Sequence, residues 1–133
     1  MSFKAANTMT RTVICVQPDM FIYDAIRILV NRNITMLPVV DENLELLGIL
    51  NENEALNVIY QSDESETQRV RDYMTTEFDC FDSNANIVDI CDCLISNKHR
   101  AVPVREDGQF CGVISRTDLI RTILQMKHQE LPA

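Results

Sequence analysis

The chain has 133 residues, of which 46% are hydrophobic, and it contains only three glycines and four prolines. This length suits one compact domain or two very small ones, and the composition excludes collagen-like and low-complexity proteins. Twenty acidic against 12 basic residues give a formal net charge of −8. General binding to nucleic acid is disfavoured, because so acidic a chain repels phosphate backbones.

The composition also bears on the compartment. No apolar run approaches the roughly 20 residues of a membrane-spanning helix, and the first residues lack the apolar stretch of a signal peptide. The five cysteines are an odd number and lack zinc-ribbon spacing, which argues against a disulfide framework and fits a reducing compartment. We expect a cytoplasmic protein with no membrane contact, no metal ion and no other resident cofactor.

An internal repeat organises the chain, because a displacement of 65 positions brings many residues into coincidence with identical ones. The two copies are residues 1–66 and 67–133, joined by a polar stretch near 61–68. The coincident pairs include Met9-Thr10 with Met74-Thr75, Pro38-Val39 with Pro103-Val104 and, after a one-residue deletion, Gly48 with Gly112.

The first copy begins with a β-rich run at 12–16. A helix follows, and a hairpin with strands at 36–40 and 46–50 precedes a closing helix at 52–60. The first helix is indicated by an apolar stripe at helical spacing, formed by Ile22, Ala25, Ile26, Leu29 and Val30.

The second copy repeats this order, with a strand at 78–81, a helix, a hairpin with strands at 101–104 and 110–114, and a helix at 116–127. Asn86 is a plausible N-cap for its first helix, and Asp107-Gly108 is a typical hairpin turn. The stripe of the first helix comprises Ile87, Ile90, Cys91, Leu94 and Ile95.

The predicted fold class is α/β (α+β), with two β-α-β-β-α repeats. A unit of about 60 residues is marginally stable alone. We therefore expect the two copies to pack sheet to sheet with pseudo-twofold symmetry and two related clefts.

Three motifs in this order resemble tandem CBS domains, the pair called a Bateman module. They are the segments 70–75 (VRDYMT), 100–104 (RAVPV) and 112–119 (GVISRTDL), and the first copy echoes them. The resemblance implies a regulatory module that binds an adenosine-containing ligand such as AMP, ADP, ATP or S-adenosylmethionine. It also implies pairs that dimerise, and it does not imply catalysis.

The segment from Ser115 to Asp118 lies where the last helix should begin, and unpaired backbone N–H groups there can bind a phosphate or ribose. The Ser115 and Thr117 hydroxyls and the Arg116 guanidinium can add hydrogen bonds. The resemblance implies that Asp118 binds the ribose. The alternative is a capping box, because Ser-x-x-Asp also stabilises helices without any ligand.

Lys98, His99 and Arg100 form the densest basic cluster of the chain. The resemblance implies that such residues reach ligand phosphates, and the alternative is a solvated helix end. Residues of the first strand and of the Pro-Val strand would wall the adenine, with core packing as the alternative role of each. They are Thr76, Phe78, Cys80, Ala101, Val102 and Pro103.

The first copy has Asn51 and Glu54 where the second has Ser115 and Asp118. Glu52 and Glu54 would repel phosphate, so we favour a capping role for Asn51 and Glu54. The alternative is a weaker second site, for a ligand without phosphate or for a cation.

The leading hypothesis is a regulatory ligand-sensing module that binds AMP, ADP or ATP in the cleft around Asp118. It would form a homodimer and signal to an unidentified partner protein by a conformational change. The alternative is a ligand-free scaffold for dimerisation or partner docking. An enzyme is not expected, because no nucleophile–base pair or Gly-rich phosphate loop is present.

Overall fold

The computed structural model of the protein describes residues 3–11, 14–61, 68–97 and 99–130. Its architecture is mixed α/β, with helices and two small sheets, and the predicted fold class and tandem repeat are confirmed. A short first helix, α1, spans Ala5–Thr8. Within the described residues, none of the helices has the length and apolar character that crossing a membrane would require.

The first repeat contains helix α2 (Ile22–Asn31), strands β1 (Met36–Val40) and β2 (Leu46–Asn51), and helix α3 (Glu52–Gln61). The two strands pair antiparallel, with Leu37 opposite Leu50. All of β1 is buried, whereas β2 alternates between buried and partly exposed positions. Four residues of the predicted stripe of α2 form one hydrophobic core with this hairpin, namely Ile22, Ala25, Ile26 and Leu29. The fifth, Val30, is exposed.

The second repeat contains β3 (Phe81–Asp82), α4 (Ile87–Ser96), β4 (Ala101–Glu106), β5 (Gln109–Ser115) and α5 (Arg116–Glu130). The sheet order is β3-β4-β5, with β3 parallel to β4. Asp107 and Gly108 connect β4 to β5 with φ values of 54° and 81°, the left-handed backbone of a type I′ turn. The hairpin turn predicted from Asp-Gly is therefore present.

The predicted helices are confirmed, and Asn86 caps α4 by accepting a hydrogen bond of 2.9 Å from the Val88 backbone N–H. The predicted first strands are largely wrong. The strand expected at 78–81 begins only at Phe81. Of the described residues in the predicted strand at 12–16, Val16 alone makes a bridge, to Val39. Residues 12 and 13 of the predicted strand at 12–16 lie outside the described residues. A β-rich composition does not determine which residues find a partner strand.

The chain divides into two compact units that differ from the predicted domains 1–66 and 67–133. Unit 1 comprises the described residues within Met1–Val13, Asp79–Asp107 and Cys111–Ala133, and unit 2 comprises those within Ile14–Phe78 and Gly108–Phe110. In unit 1, Ala5 donates a backbone hydrogen bond of 2.8 Å to Ala85. In unit 2, Val70 donates one of 2.9 Å to Met20. In both units, backbone groups of a leading segment therefore find their partners in the sequence of the other repeat. The repeat boundaries at 1–66 and 67–133 stay a prediction.

Each leading segment passes close to a glycine. In unit 1, the Met9 sulfur and the Thr10 carbonyl oxygen both lie 2.8 Å from the position that a Cβ on Gly112 would occupy. In unit 2, the corresponding atoms of Met74 and Thr75 lie 2.9 Å from a Cβ on Gly48. Only glycine permits this approach of the two backbones, which explains why Met-Thr and Gly recur together in the repeat.

Candidate functional site

Asp118 lies in the first turn of α5 and is joined to Ser115 by two hydrogen bonds, one through its side chain and one through its backbone N–H. The Asp118 carboxylate accepts from the Ser115 backbone N–H at 2.9 Å, and the Ser115 hydroxyl accepts from the Asp118 backbone N–H at 3.1 Å. This reciprocal pair is a capping box. The capping interpretation of the sequence is thus realised in the structure, and it fixes the Asp118 carboxylate at the start of the helix.

Two further residues, which the sequence did not single out, bind the same carboxylate. The Thr10 hydroxyl lies 3.4 and 3.5 Å from its two oxygens, and an Arg121 guanidinium nitrogen donates at 3.2 Å. The Asp118 side chain is 10% exposed and that of Arg121 is 62% exposed. In the sequence, the one feature that pointed to Thr10 was its alignment with Thr75 in the internal repeat. We call Thr10, Ser115, Asp118 and Arg121 the Asp118 cluster.

Arg116 connects the beginning of α5 to the end of α4. Its Nε donates to the His99 carbonyl at 2.7 Å, and its Nη2 donates to the Leu94 carbonyl at 3.2 Å. Its backbone N–H donates to the Arg100 carbonyl at 3.1 Å. The side chain thereby satisfies a carbonyl of the last turn of α4, where a positive charge also complements the helix dipole.

The structure places the other residues predicted to contact a phosphate in three different settings. Thr117 and Arg100 are exposed. The His99 imidazole is partly buried and its Nε2 lies 2.9 Å from an Asp79 carboxylate oxygen. Lys98 lies outside the described residues. The structure therefore brings His99 and Arg100 next to the start of α5 and leaves the role of the full basic cluster a prediction.

The residues predicted to wall an adenine fall in both units. Thr76 and Phe78 belong to unit 2, whereas Cys80, Ala101, Val102 and Pro103 belong to unit 1. Val102 and Pro103 are buried, and Val102 is part of the core of unit 1. Core packing is therefore established for Val102, and the adenine contact of all six stays a prediction.

The first repeat builds the same hydrogen-bond pattern around Glu54. Its carboxylate accepts from the Asn51 backbone N–H at 3.2 Å and from the Thr75 hydroxyl at 3.1 Å, and Asn51 accepts from the Glu54 N–H at 3.4 Å. Asn57 stands where Arg121 stands in the second repeat. The two acidic positions thus share a scaffold and differ in the nearby positive charge.

The five cysteines are free thiols, and three have a raised pKa. Burial raises the pKa of Cys15 and of Cys111. Burial also raises the pKa of Cys93, the Asn97 hydrogen bond lowers it, and the negative charge of Asp79 raises it further. At neutral pH these three are therefore thiols rather than thiolates when no metal is bound.

One group of potential metal ligands was not apparent from sequence spacing. Asp79, Cys93 and His99 each offer a ligand atom, and these atoms lie within 4.8 Å of one another. Sequence analysis found no metal-ligand pattern because the three residues come from three separate parts of unit 1.

The family model of the CBS domain matches residues 5–61 and 70–125, which is most of the chain. The protein belongs to the CBS-domain family and contains two CBS domains in tandem.

Relatives of known structure and sequence agree with this assignment. The chain is 26% identical over 119 residues to inosine-5′-monophosphate dehydrogenase of Methanocaldococcus jannaschii, a match that covers 89% of this chain and 23% of that protein. It is 26% identical over 142 residues to the chloroplastic CBS domain-containing protein CBSX2 of Arabidopsis thaliana, covering 86% of this chain and 60% of that protein. The chain thus spans less than two thirds of both relatives.

A solved structure of CBSX2 in complex with AMP matches the fold with a TM-score of 0.85 and 27% identity. The match covers 94% of this chain and 98% of that chain. CBSX2 is therefore a CBS pair of the same architecture that binds AMP.

Proposed function

We propose that the protein is a non-catalytic regulatory module that binds an adenosine-containing ligand at the Asp118 cluster. The observation that carries the proposal is the constellation at the start of α5. There a carboxylate, two hydroxyls and two guanidinium groups adjoin the N-terminus of a 15-residue helix. A carboxylate can accept hydrogen bonds from both hydroxyls of a ribose, and a helix N-terminus favours a phosphate.

The AMP complex of CBSX2 supports an adenine nucleotide as the ligand. We propose AMP, ADP or ATP, with S-adenosylmethionine as a further possible ligand. These compounds share the adenosine that would meet Asp118, and they differ in the groups beyond the ribose.

The charges near the two acidic positions favour a nucleotide site in the second repeat over one in the first. Arg116 and Arg121 flank Asp118, whereas Asn57 replaces Arg121 near Glu54 and Glu52 adds a negative charge. Since phosphate is repelled by carboxylates and attracted by guanidinium groups, we expect the site at Asp118 to bind nucleotides more tightly than the site at Glu54.

Signalling would follow from a difference in affinity between two conformations. A ligand shifts such an equilibrium only if it binds one of them better, and a partner protein can then read the shift. The ligand would tighten the protein around the start of α5. The partner itself remains unidentified, and the five free thiols support a cytoplasmic location.

We also propose that the protein forms a homodimer through α4 and α5. Val88, Ile95, Ile120 and Leu124 on these helices are each 58–70% exposed. Ile95 and Ile120 also line a groove of about 420 Å³. Exposed apolar surface of this kind is typical of a protein–protein interface. Sedimentation should show a dimer for the parent and a monomer for the double variant Ile95→Asp and Ile120→Asp. A parent that sediments as a monomer would exclude the homodimer.

One observation favours a ligand-free scaffold as the second candidate. The Asp118 carboxylate is already bound by Ser115, Thr10 and Arg121, so it needs no ligand to be satisfied. Under this alternative the acid and its neighbours only stabilise α5.

A thermal-shift panel with AMP, ADP, ATP and S-adenosylmethionine distinguishes the two candidates, with GTP as the control for the base. Ligand at about 100 times its Kd stabilises the folded state by about 2.7 kcal/mol. For a chain of this size that corresponds to roughly 10 °C. A rise in Tm with adenine compounds and none with GTP supports the sensor. No rise with any of them, in protein that melts cooperatively, supports the scaffold.

A further inference from the structure

We infer that Asp79, Cys93 and His99 form a binding site for a zinc ion at the end of α4. The three side chains present one carboxylate oxygen, one sulfur and one imidazole nitrogen within 4.8 Å of one another. This site is distinct from the Asp118 cluster and uses none of its four residues.

The fold holds the three residues in one place within unit 1. Cys93 lies in the last turn of α4 and His99 follows the helix by three residues, while Asp79 lies two residues before β3. The His99 carbonyl accepts the 2.7 Å hydrogen bond from Arg116 Nε. Arg116 thus anchors the backbone of His99, and this hydrogen bond does not involve the imidazole ring.

The distances already approach those of a tetrahedral zinc site. Ligand atoms bound to one tetrahedral Zn²⁺ lie roughly 3.3–3.6 Å apart, since zinc binds nitrogen and oxygen at about 2.0–2.2 Å and sulfur at about 2.3 Å. His99 Nε2 and an Asp79 oxygen are 2.9 Å apart. Side-chain rotations that move each ligand atom by less than about 1 Å would place all three atoms around one ion.

Asn97 supplies a second layer to this cluster. Its Nδ2 donates to Asp79 Oδ2 at 3.2 Å and lies 3.5 Å from the Cys93 sulfur. Donors to the carboxylate and thiolate ligands of a metal orient those ligands and stabilise their negative charge. The same amide that binds both groups here can therefore support them around an ion.

The donor set and charge favour zinc over magnesium and calcium. Magnesium and calcium prefer sites made of oxygen alone, whereas a sulfur, a nitrogen and one oxygen suit Zn²⁺. The Asp79 carboxylate and the Cys93 thiolate together balance the two positive charges of the ion. On binding, the Cys93 S–H bond breaks, a Zn–S bond forms, and the proton passes to the solvent.

The site is also accessible and incomplete. The side chains of His99 and Asp79 are 39% and 47% exposed, so an ion can reach them from solvent. Among the described residues, Asp79, Cys93 and His99 are the one group of His, Cys, Asp or Glu side chains that could hold a metal ion together. Three protein ligands leave the fourth tetrahedral position to water or to a ligand from outside, as in zinc sites with an open position.

Titration of the tag-free protein with Co²⁺, followed by displacement with Zn²⁺, tests the site. Co²⁺ bound by a thiolate gives a charge-transfer band in the near ultraviolet, and four-coordinate Co²⁺ absorbs in the visible region. We expect one Co²⁺ per chain with both features, and loss of both when Zn²⁺ displaces it. Cys93→Ser should abolish the charge-transfer band, whereas the control Cys91→Ser, on the same helix, should keep it.

Zinc affinity of the ligand variants provides the second readout. Cys93→Ser and His99→Gln should each weaken Zn²⁺ binding by more than about 10–100-fold, the effect typical of losing an outer-layer partner. Far-ultraviolet circular dichroism of each variant confirms that it is folded, and the partly exposed His99 provides a second variant if Cys93→Ser unfolds. Absence of the charge-transfer band in the parent would overturn the inference, as would its persistence in Cys93→Ser.

Discussion

Replacement of Gly112 by alanine tests whether the leading segment of the chain is held against the second repeat by close backbone contact. A Cβ at this position would lie 2.8 Å from both the Met9 sulfur and the Thr10 carbonyl oxygen. The Met9 side chain can move, but the Thr10 carbonyl accepts a hydrogen bond of 3.0 Å from the Val113 N–H. The two backbones must therefore separate.

The magnitude follows from this geometry. Overpacking a buried position costs about 1–3 kcal/mol, and the backbone clash places Gly112→Ala at about 2–3 kcal/mol. For a chain of this length the Tm should fall by roughly 5–10 °C. Because Thr10 would move away from the Asp118 carboxylate, nucleotide binding should weaken as well.

Two matched variants make the test specific. Gly108→Ala meets no atom within 4 Å but has a φ of +81°, so it should cost only about 1 kcal/mol through backbone strain. Adding Met9→Ala to Gly112→Ala removes the sulfur contact and should restore only part of the loss. Chemical denaturation measures all three, and the reasoning is refuted if Gly112→Ala unfolds within about 0.5 kcal/mol of the parent.

Two further predictions concern a helix cap and the thiols. Asn86→Ala removes the acceptor for the Val88 N–H and should lower the free energy of unfolding by about 1 kcal/mol, which urea denaturation measures; an unchanged value would show that the cap contributes nothing. Because burial raises the pKa of Cys15 and Cys111, less thiolate is present at pH 7 than in a free cysteine. Their alkylation by iodoacetamide, followed by mass spectrometry, should be slower than that of a model peptide and should accelerate at a more alkaline pH than the peptide does; equal rates at pH 7 would contradict this.

The sequence predicted the parts of the fold that depend on local periodicity. The stripe beginning at Ile22, the Asn86 cap and the Asp107-Gly108 turn are local features, and the structure contains all three. The prediction of the first strand in each repeat failed, because strand pairing depends on partners that are distant in the sequence. Val16 pairs with Val39, and the strand predicted from residue 78 begins at Phe81.

The candidate site was predicted in part for the same reason. Ser115 and Asp118 are close in sequence, and their capping box is present. Thr10 contacts Asp118 across 108 positions, a separation that no local pattern bridges. The repeat nevertheless contained the information, because Met-Thr and Gly coincide in both copies and lie in contact in both units.

The metal ligands show the limit of sequence reasoning more clearly. Cys93 occupies a helix whose apolar stripe gave it no chemical role, and His99 was assigned to a phosphate cluster. Only the folded backbone places Asp79 beside them. A three-residue site assembled from a loop, a helix end and a following turn has no characteristic spacing along the chain.

The most direct test of the central claim compares AMP binding by two variants, in each of which an acid is replaced by the amide of the same size and shape. Asp118→Asn and Glu54→Gln each remove one negative charge and keep an oxygen that can accept from the backbone N–H of Ser115 or Asn51, respectively. Isothermal titration calorimetry with AMP should show that Asp118→Asn weakens binding by at least about 10-fold, equivalent to about 1.4 kcal/mol, while Glu54→Gln binds like the parent. Equal binding by Asp118→Asn and the parent would contradict the assignment of the nucleotide site to the Asp118 cluster.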